Sequence, residues 1–188
     1  LLGFIHYLIS SNRIFNEDEG TFYIDDKILF DGVVNSQFIN CKPSENEEYL
    51  FVVTRNFYFE NVIFDFRKIK GGAIKAFSSI KLRVKNCTFY DCSLSNGDGN
   101  AINIIKSPRS KSIKTDISDI NDNDYEFWLE DNTLDYSMNP NSGYAMIFED
   151  TSVFLYELIV VFQPTATAYG GIKFTNCRLA KIYDCSFT

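Results

Sequence analysis

A single histidine in 188 residues is the first thing this chain lacks. A Ser-His-Asp triad or a multi-histidine metal site therefore cannot be assembled from its body, where no histidine follows His6. Basic excess is also missing. Lys and Arg total 18 against 25 Asp and Glu, a formal net charge of −7. That balance argues against a nucleic-acid surface. No apolar run is long enough to span a bilayer as a helix. The glycine pairs at Gly71 and Gly170 are not followed by the Lys-Ser/Thr of a P-loop or by dinucleotide-fold spacing, so they read as coil corners rather than phosphate cradles. The five cysteines fall at positions that suit buried free thiols, with Cys177 and Cys185 the one pair left open.

What the chain does have is a repeat. Large apolar marks stand at Phe15, Phe38, Phe64, Phe89, Leu134, Phe162 and Phe187. Three residues before them lie Asn12, Asn35, Asn61, Asn86, Asp131, Ile159 and Asp184, an Asn/Asp column broken once. The intervals are 23, 26, 25, 45, 28 and 25, with the outlier marking one insertion. A period of this size means stacked coils. Gly-led apolar tetrads keep the same step at Gly71-Gly72-Ala73-Ile74, Gly99-Asn100-Ala101-Ile102, Gly143-Tyr144-Ala145-Met146 and Gly170-Gly171-Ile172-Lys173.

Alternating apolar residues precede each Asn: Phe57 and Phe59, Leu82 and Val84, Phe127 and Leu129. After the Asn the parity slips by one residue. Asn and Asp tolerate the left-handed conformation that such a bend needs. These features specify an all-β fold, a right-handed parallel β-helix of about seven coils across residues 1–188, with a polar insertion at 107–124. Phe38, Phe64 and Phe89 are expected to stack in its core. Glu157 stands at the coil position equivalent to Val84, an acid in an otherwise apolar column, and Ile159 breaks the Asn column in the same coil; a local register shift accounts for both. The apolar start, Leu1 to Ile9, suits either a signal remnant or a first coil. The stop at Thr188 falls in mid-coil, so the chain reads as a fragment cut at both ends.

The chemistry-bearing candidates are few. Asp119, Asn121, Asn123 and Glu130 match calcium-loop positions, but Asp124 stands in the glycine position and Glu126 in the apolar one. Asp116, Asp119, Asp122, Asp124 and Glu126 form the one dense carboxylate group, which reads as a solvated insertion. Arg83 and Lys85 point outward from one strand, with no acid expected to align beside them. Asn86-Cys87-Thr88 is a formal glycosylation sequon whose amide is expected to bond to backbone instead. No catalytic, metal-binding or cofactor-binding residue is assigned. Specific recognition is expected at the insertion, Ser107 to Asp124, because loops leaving a rigid stack vary freely.

Gly71-Gly72-Ala73-Ile74, followed by Leu82-Arg83-Val84-Lys85-Asn86-Cys87-Thr88-Phe89 and the run Ser95-Asn96-Gly97-Asp98-Gly99, resembles repeats of the polymorphic outer membrane protein family, whose GGAI motif occurs here once intact. That resemblance implies a right-handed β-helix at a cell surface or in the extracellular space. It implies adhesion or antigen display, with glycans or host and cell-surface proteins as partners, no cofactor and no catalytic residues. The alternative is a carbohydrate-active β-helix, a lyase or hydrolase acting on acidic polysaccharide.

Overall fold

A computed structural model describes residues 12–78, 80–94, 98–107, 125–136, 143–162 and 171–188. The chain first forms β1 (Ile14–Asn16), β2 (Phe22–Ile24) and β3 (Gly32–Val34). The triplet then recurs as β4 (Gln37–Ile39), β5 (Tyr49–Val53) and β6 (Phe57–Glu60), and as β7 (Ile63–Asp65), β8 (Gly72–Phe77) and β9 (Leu82–Lys85). Next come β10 (Thr88–Tyr90), β11 (Asp98–Ile105) and β12 (Phe127–Glu130), then β13 (Thr133–Tyr136), β14 (Tyr144–Glu149) and β15 (Ser152–Tyr156). The chain closes with β16 (Ile159–Phe162), β17 (Ile172–Thr175), β18 (Leu179–Tyr183) and β19 (Ser186–Phe187).

Every third strand joins the same sheet. The first sheet stacks seven strands, β1 to β19 in steps of three. The second stacks six, β2 to β17, and the third stacks six, β3 to β18. All strand pairs are parallel. The protein is an all-β parallel β-solenoid of three faces. The expectation of about seven coils is corrected downward: seven marks count the strands of one sheet, and β19 has no companion in the other two. Residues Leu1 to Ile9, His6 and the insertion beyond Ser107 lie outside the described residues.

Corners join the sheets, and their backbone explains the Asn column. Asn35, Asn61, Asn86, Asp131, Glu157 and Asp184 all turn from the third sheet into the first with φ between 49° and 56°. Glu157, not Ile159, occupies the fifth of these corners, and Val160, not Phe162, continues the column from Leu134. The register shift is therefore two residues. A carboxylate side chain and a smaller apolar mark hid it in the sequence.

Inside, like residues stack along the axis. Phe15 and Phe38 lie 4.8 Å apart at 1°, Phe38 and Phe64 5.7 Å apart at 13°, and Phe64 and Phe89 4.9 Å apart at 10°. Each stacked aromatic pair adds about 0.5–1.5 kcal/mol beyond area burial. Leu134 and Val160 continue the column fully buried, so aliphatic packing replaces ring stacking towards β19.

Gly99 and Gly143 lead their tetrads with φ of 66° and 137°, while at Gly71-Gly72 the physical reason is a close approach rather than a tight corner. Gly72 lies inside β8 in extended backbone, under the ring of Tyr49, and a Cβ there would sit 2.4 Å from Tyr49 Cδ1. The Tyr49 side chain crosses that gap to donate its hydroxyl proton to the Gly99 carbonyl at 3.1 Å. The same hydroxyl oxygen accepts from Asn103 Nδ2 at 3.0 Å. One side chain on β5 thus ties together β5, β8 and β11. Gly72→Ala should destabilise the fold by about 1–3 kcal/mol, as overpacking does. Combined with Tyr49→Ala, its cost should shrink, so urea unfolding of the four proteins should show clear non-additivity.

Candidate functional site

The third sheet turns an unusual set of side chains to solvent. Alternation in β6, β9 and β12 buries one parity and leaves the other exposed or half-buried, whereas in β15 Phe154 is covered as well and β18 is open on both parities. In ladder order the first outward column reads Gly32, Tyr58, Arg83, Trp128, Phe154 and Lys181. The second reads Val34, Glu60, Lys85, Glu130, Tyr156 and Tyr183. Solvent-facing strand positions are normally polar, so a column with Trp, Phe and Tyr on its outside is a departure.

Geometry binds the first column into one stack. Trp128 and Phe154 rings lie 4.1 Å apart at 32°. The Arg83 guanidinium sits 5.8 Å from the Trp128 ring centre, and the Lys181 ammonium 5.3 Å from that of Phe154. Two aromatic rings are held between two cations across four turns, an arrangement favoured by the electron-rich ring faces. Tyr125 closes the side of the stack, 5.5 Å from Phe154. At the other end the Tyr58 ring covers Gly32, whose missing Cβ leaves room for it.

The second column is ionic. Lys85 pairs with Glu130 at 3.0 Å, and Glu130 Oε2 accepts the Trp128 indole proton at 3.3 Å. The expectation that no acid aligns beside Arg83 and Lys85 is corrected: Glu60 and Glu130 flank Lys85 in register. The adjoining corner changes chemistry midway. Asn61 Nδ2 donates to Asn35 Oδ1 at 2.9 Å, and Asn86 Nδ2 to Asn61 Oδ1 at 2.6 Å. The Asn86 amide thus bonds to the next Asn side chain rather than to backbone, and its sequon nitrogen is already engaged. Beyond it the column is acidic: Asp131, Glu157 and Asp184.

Other acids expected from the sequence are clamps between turns. Glu126 accepts from Thr151 Oγ1 at 2.6 Å, from the Ser152 amide at 3.1 Å and from Arg178 at 2.6 Å. Its two oxygens are committed, as are those of Glu130. Asp116, Asp119, Asn121, Asp122, Asn123 and Asp124 lie outside the described residues. Among the described residues no group of three or more His, Cys, Asp or Glu is placed to hold a metal, and no helix is long and apolar enough to cross a membrane. An open depression of about 540 Å³ at the corner between the second and third sheets is lined by Asp26, Thr54, Arg55, Asn56 and Ile80. There Arg55 is engaged by the Ile28 carbonyl and by Asp31 at 2.6 Å, and Asn56 Oδ1 accepts from the Lys81 amide.

The sequence reading placed Arg83 and Lys85 outside but missed Trp128 and Phe154. The signal was available. Trp128 falls between inward Phe127 and Leu129, and Phe154 between inward Val153 and Leu155, so alternation alone turns both outward.

Desolvation, reinforced by the hydrogen bond and charge of Glu157, holds the Asp131 carboxyl above the usual carboxylate range. A carboxyl raised by folding binds its proton more tightly in the native state. Its contribution is present at low pH and is lost as pH rises through the raised value. Asp131→Asn supplies a neutral amide that continues the Asn ladder. That variant should melt above the parent at pH 7, with the gap closing as pH falls into the carboxyl range; thermal melts between pH 4 and 8 check it.

Burial pushes the Cys87 thiol up to about 12, the Cys41 thiol up to about 11, and the Cys92 thiol well above its ordinary value. Cys177 and Cys185 are free and half-buried. The five residues of β18 separate them by roughly 16 Å, beyond disulfide reach. Alkylation at pH 8 should label Cys177 and Cys185 well before Cys41, Cys87 and Cys92, as peptide mass mapping would show. No protein-family model, curated protein or solved structure matches the chain.

Proposed function

We propose that this chain is a right-handed solenoid that works by binding at a cell surface or in the extracellular space, as an adhesion or display scaffold similar to polymorphic outer membrane proteins. Right-handed winding follows the strong preference of parallel crossovers in one sheet. One observation supports the binding reading: among the described residues, the outward carboxylates Glu126 and Glu130 are engaged in holding turns together. Glu126 clamps Thr151, Ser152 and Arg178, and Glu130 holds Lys85 and Trp128. Asp65 receives Arg67 at both oxygens, which draws its carboxyl below the usual range. Glycosidic cleavage needs two uncommitted carboxyls at a set separation across a groove. The outer aromatic column suits contact, since Trp, Tyr and Arg dominate binding hot spots.

The test pairs activity with binding. Incubation with polygalacturonate, with and without calcium, should yield no unsaturated-uronide absorbance and no new reducing ends, while the labelled chain should bind cell surfaces saturably. Cleavage that co-purifies with the protein would overturn this reading in favour of a carbohydrate-active enzyme.

A further inference from the structure

The depression at the corner between the second and third sheets is built on braced backbone. On one side Asp25 folds the chain into a turn. Its carboxylate accepts from the Lys27 amide at 2.9 Å, and its carbonyl from the Ile28 amide at 3.0 Å. Ile28 is buried and anchors that turn, and Asp26 stands exposed within it. Arg55 braces the same turn from the next coil, donating to the Ile28 carbonyl and, at 2.6 Å, to Asp31. Ile80, 6 % exposed, supplies the apolar part of the lining.

The polar groups of the lining are not all spent. Asn56 Oδ1 accepts from the Lys81 amide at 2.8 Å, which fixes the orientation of the side-chain amide and leaves its Nδ2 to donate to a ligand. Asp26 brings a carboxylate that takes no hydrogen bond or ion pair among the described residues. Thr54 Oγ1 gives its proton to the Ile24 carbonyl at 3.2 Å and keeps its acceptor lone pairs. An unengaged donor and an unengaged acceptor thus share one hollow of about 540 Å³, within the range of about 300–1,000 Å³ that small-molecule sites occupy. Two residues beyond Asn56, Tyr58 stands 40 % exposed with its ring over Gly32.

No sign of charge prevails around this hollow. Asp25, Asp26 and Asp31 are matched on the same segments by Lys27, Arg55 and Lys81. The balance favours a neutral occupant that both donates and accepts hydrogen bonds. Hydroxyls do both. A pyranose carries several of them on its rim and C–H groups on its faces, so it matches Asp26 and Asn56 with the first and Ile80, with the Tyr58 ring alongside, with the second. We infer that this depression binds a neutral sugar unit of a cell-surface glycan. Neighbouring hydroxyls bridge the two walls, one donating to the Asp26 carboxylate and the other accepting from Asn56 Nδ2. The inference rests on the binding role proposed above and gives it a ligand class and a place, apart from the aromatic column of the third sheet.

The whole chain, labelled with ¹⁵N, would be titrated with mannotriose, galactotriose and maltotriose, with a polygalacturonate oligomer, and with a Ser-Gln peptide. Expected is a saturable shift of the Asn56 side-chain amide and the Lys81 backbone amide with at least one neutral trisaccharide. Asn56→Asp keeps the acceptor for Lys81 and removes the donor, and Asp26→Asn keeps the shape and removes the charged acceptor. Each, checked for fold by circular dichroism and followed at Lys81, should weaken that sugar at least about tenfold, a change of about 1.4 kcal/mol. Glu45→Gln, exposed on another loop, should leave the affinity within about twofold. The inference is overturned if no probe shifts these amides, if the polygalacturonate oligomer or the Ser-Gln peptide binds more tightly than every neutral trisaccharide, or if Asn56→Asp binds as the parent does. Cell-surface binding retained in full by Asn56→Asp would likewise remove this depression as the docking site while leaving the adhesion reading in place.

Discussion

Parallel strand pairing in strict register is the constraint on which everything else in this molecule depends. Each turn offers the next a row of backbone donors and acceptors, and the ladders close only if corresponding residues face each other. Once Phe64 pairs with Phe38 and Phe89, the interior has no choice but to stack like on like. The same pairing stacks the exterior. Trp128 meets Phe154 and Lys85 meets Glu130 for the reason that the phenylalanines meet, because a column is one position read turn after turn.

The left-handed corners keep that register constant. A bend at φ near +50° is cheap for Asn, and the Asn side chain then has a neighbour of its own kind one turn away. Asn35, Asn61 and Asn86 use it to link their amides, so the backbone requirement and the side-chain bond reinforce one another. Where the column becomes acidic, the backbone requirement persists and the side-chain bond needs a proton. The two ends of the rod are thereby built by different electrostatics on one geometry.

Legibility followed this division. The phenylalanine stack and the Asn corners were readable because they repeat, and a column can be aligned without knowing the fold in detail. Glu157 was readable only as an anomaly: its backbone role matches Asn61, but its side chain gives no hint of it. Tyr49 was not readable at all, since its role depends on a glycine one turn away and a carbonyl two turns away. Asn132 is similar. It is buried and returns to the preceding turn, accepting from the Cys87 amide at 3.0 Å and donating to the Val84 carbonyl at 2.9 Å. Contacts made once, between unlike residues on different turns, leave no period to detect. The aromatic outer column lies between these cases: alternation places Trp128 and Phe154 on the outward parity, but unlike residues on successive turns leave no repeat to mark it.

Those unrepeated contacts bear on how the chain finds its own order. A stack of near-identical turns tolerates mis-threading, since a turn placed one step out still meets phenylalanine with phenylalanine. Tyr49 fits only above a residue without a side chain, and Asn132 only below a turn whose backbone leaves it a donor and an acceptor. Each acts as a key cut for one lock. The repeats supply cohesion without identity, and the few singular side chains number the turns.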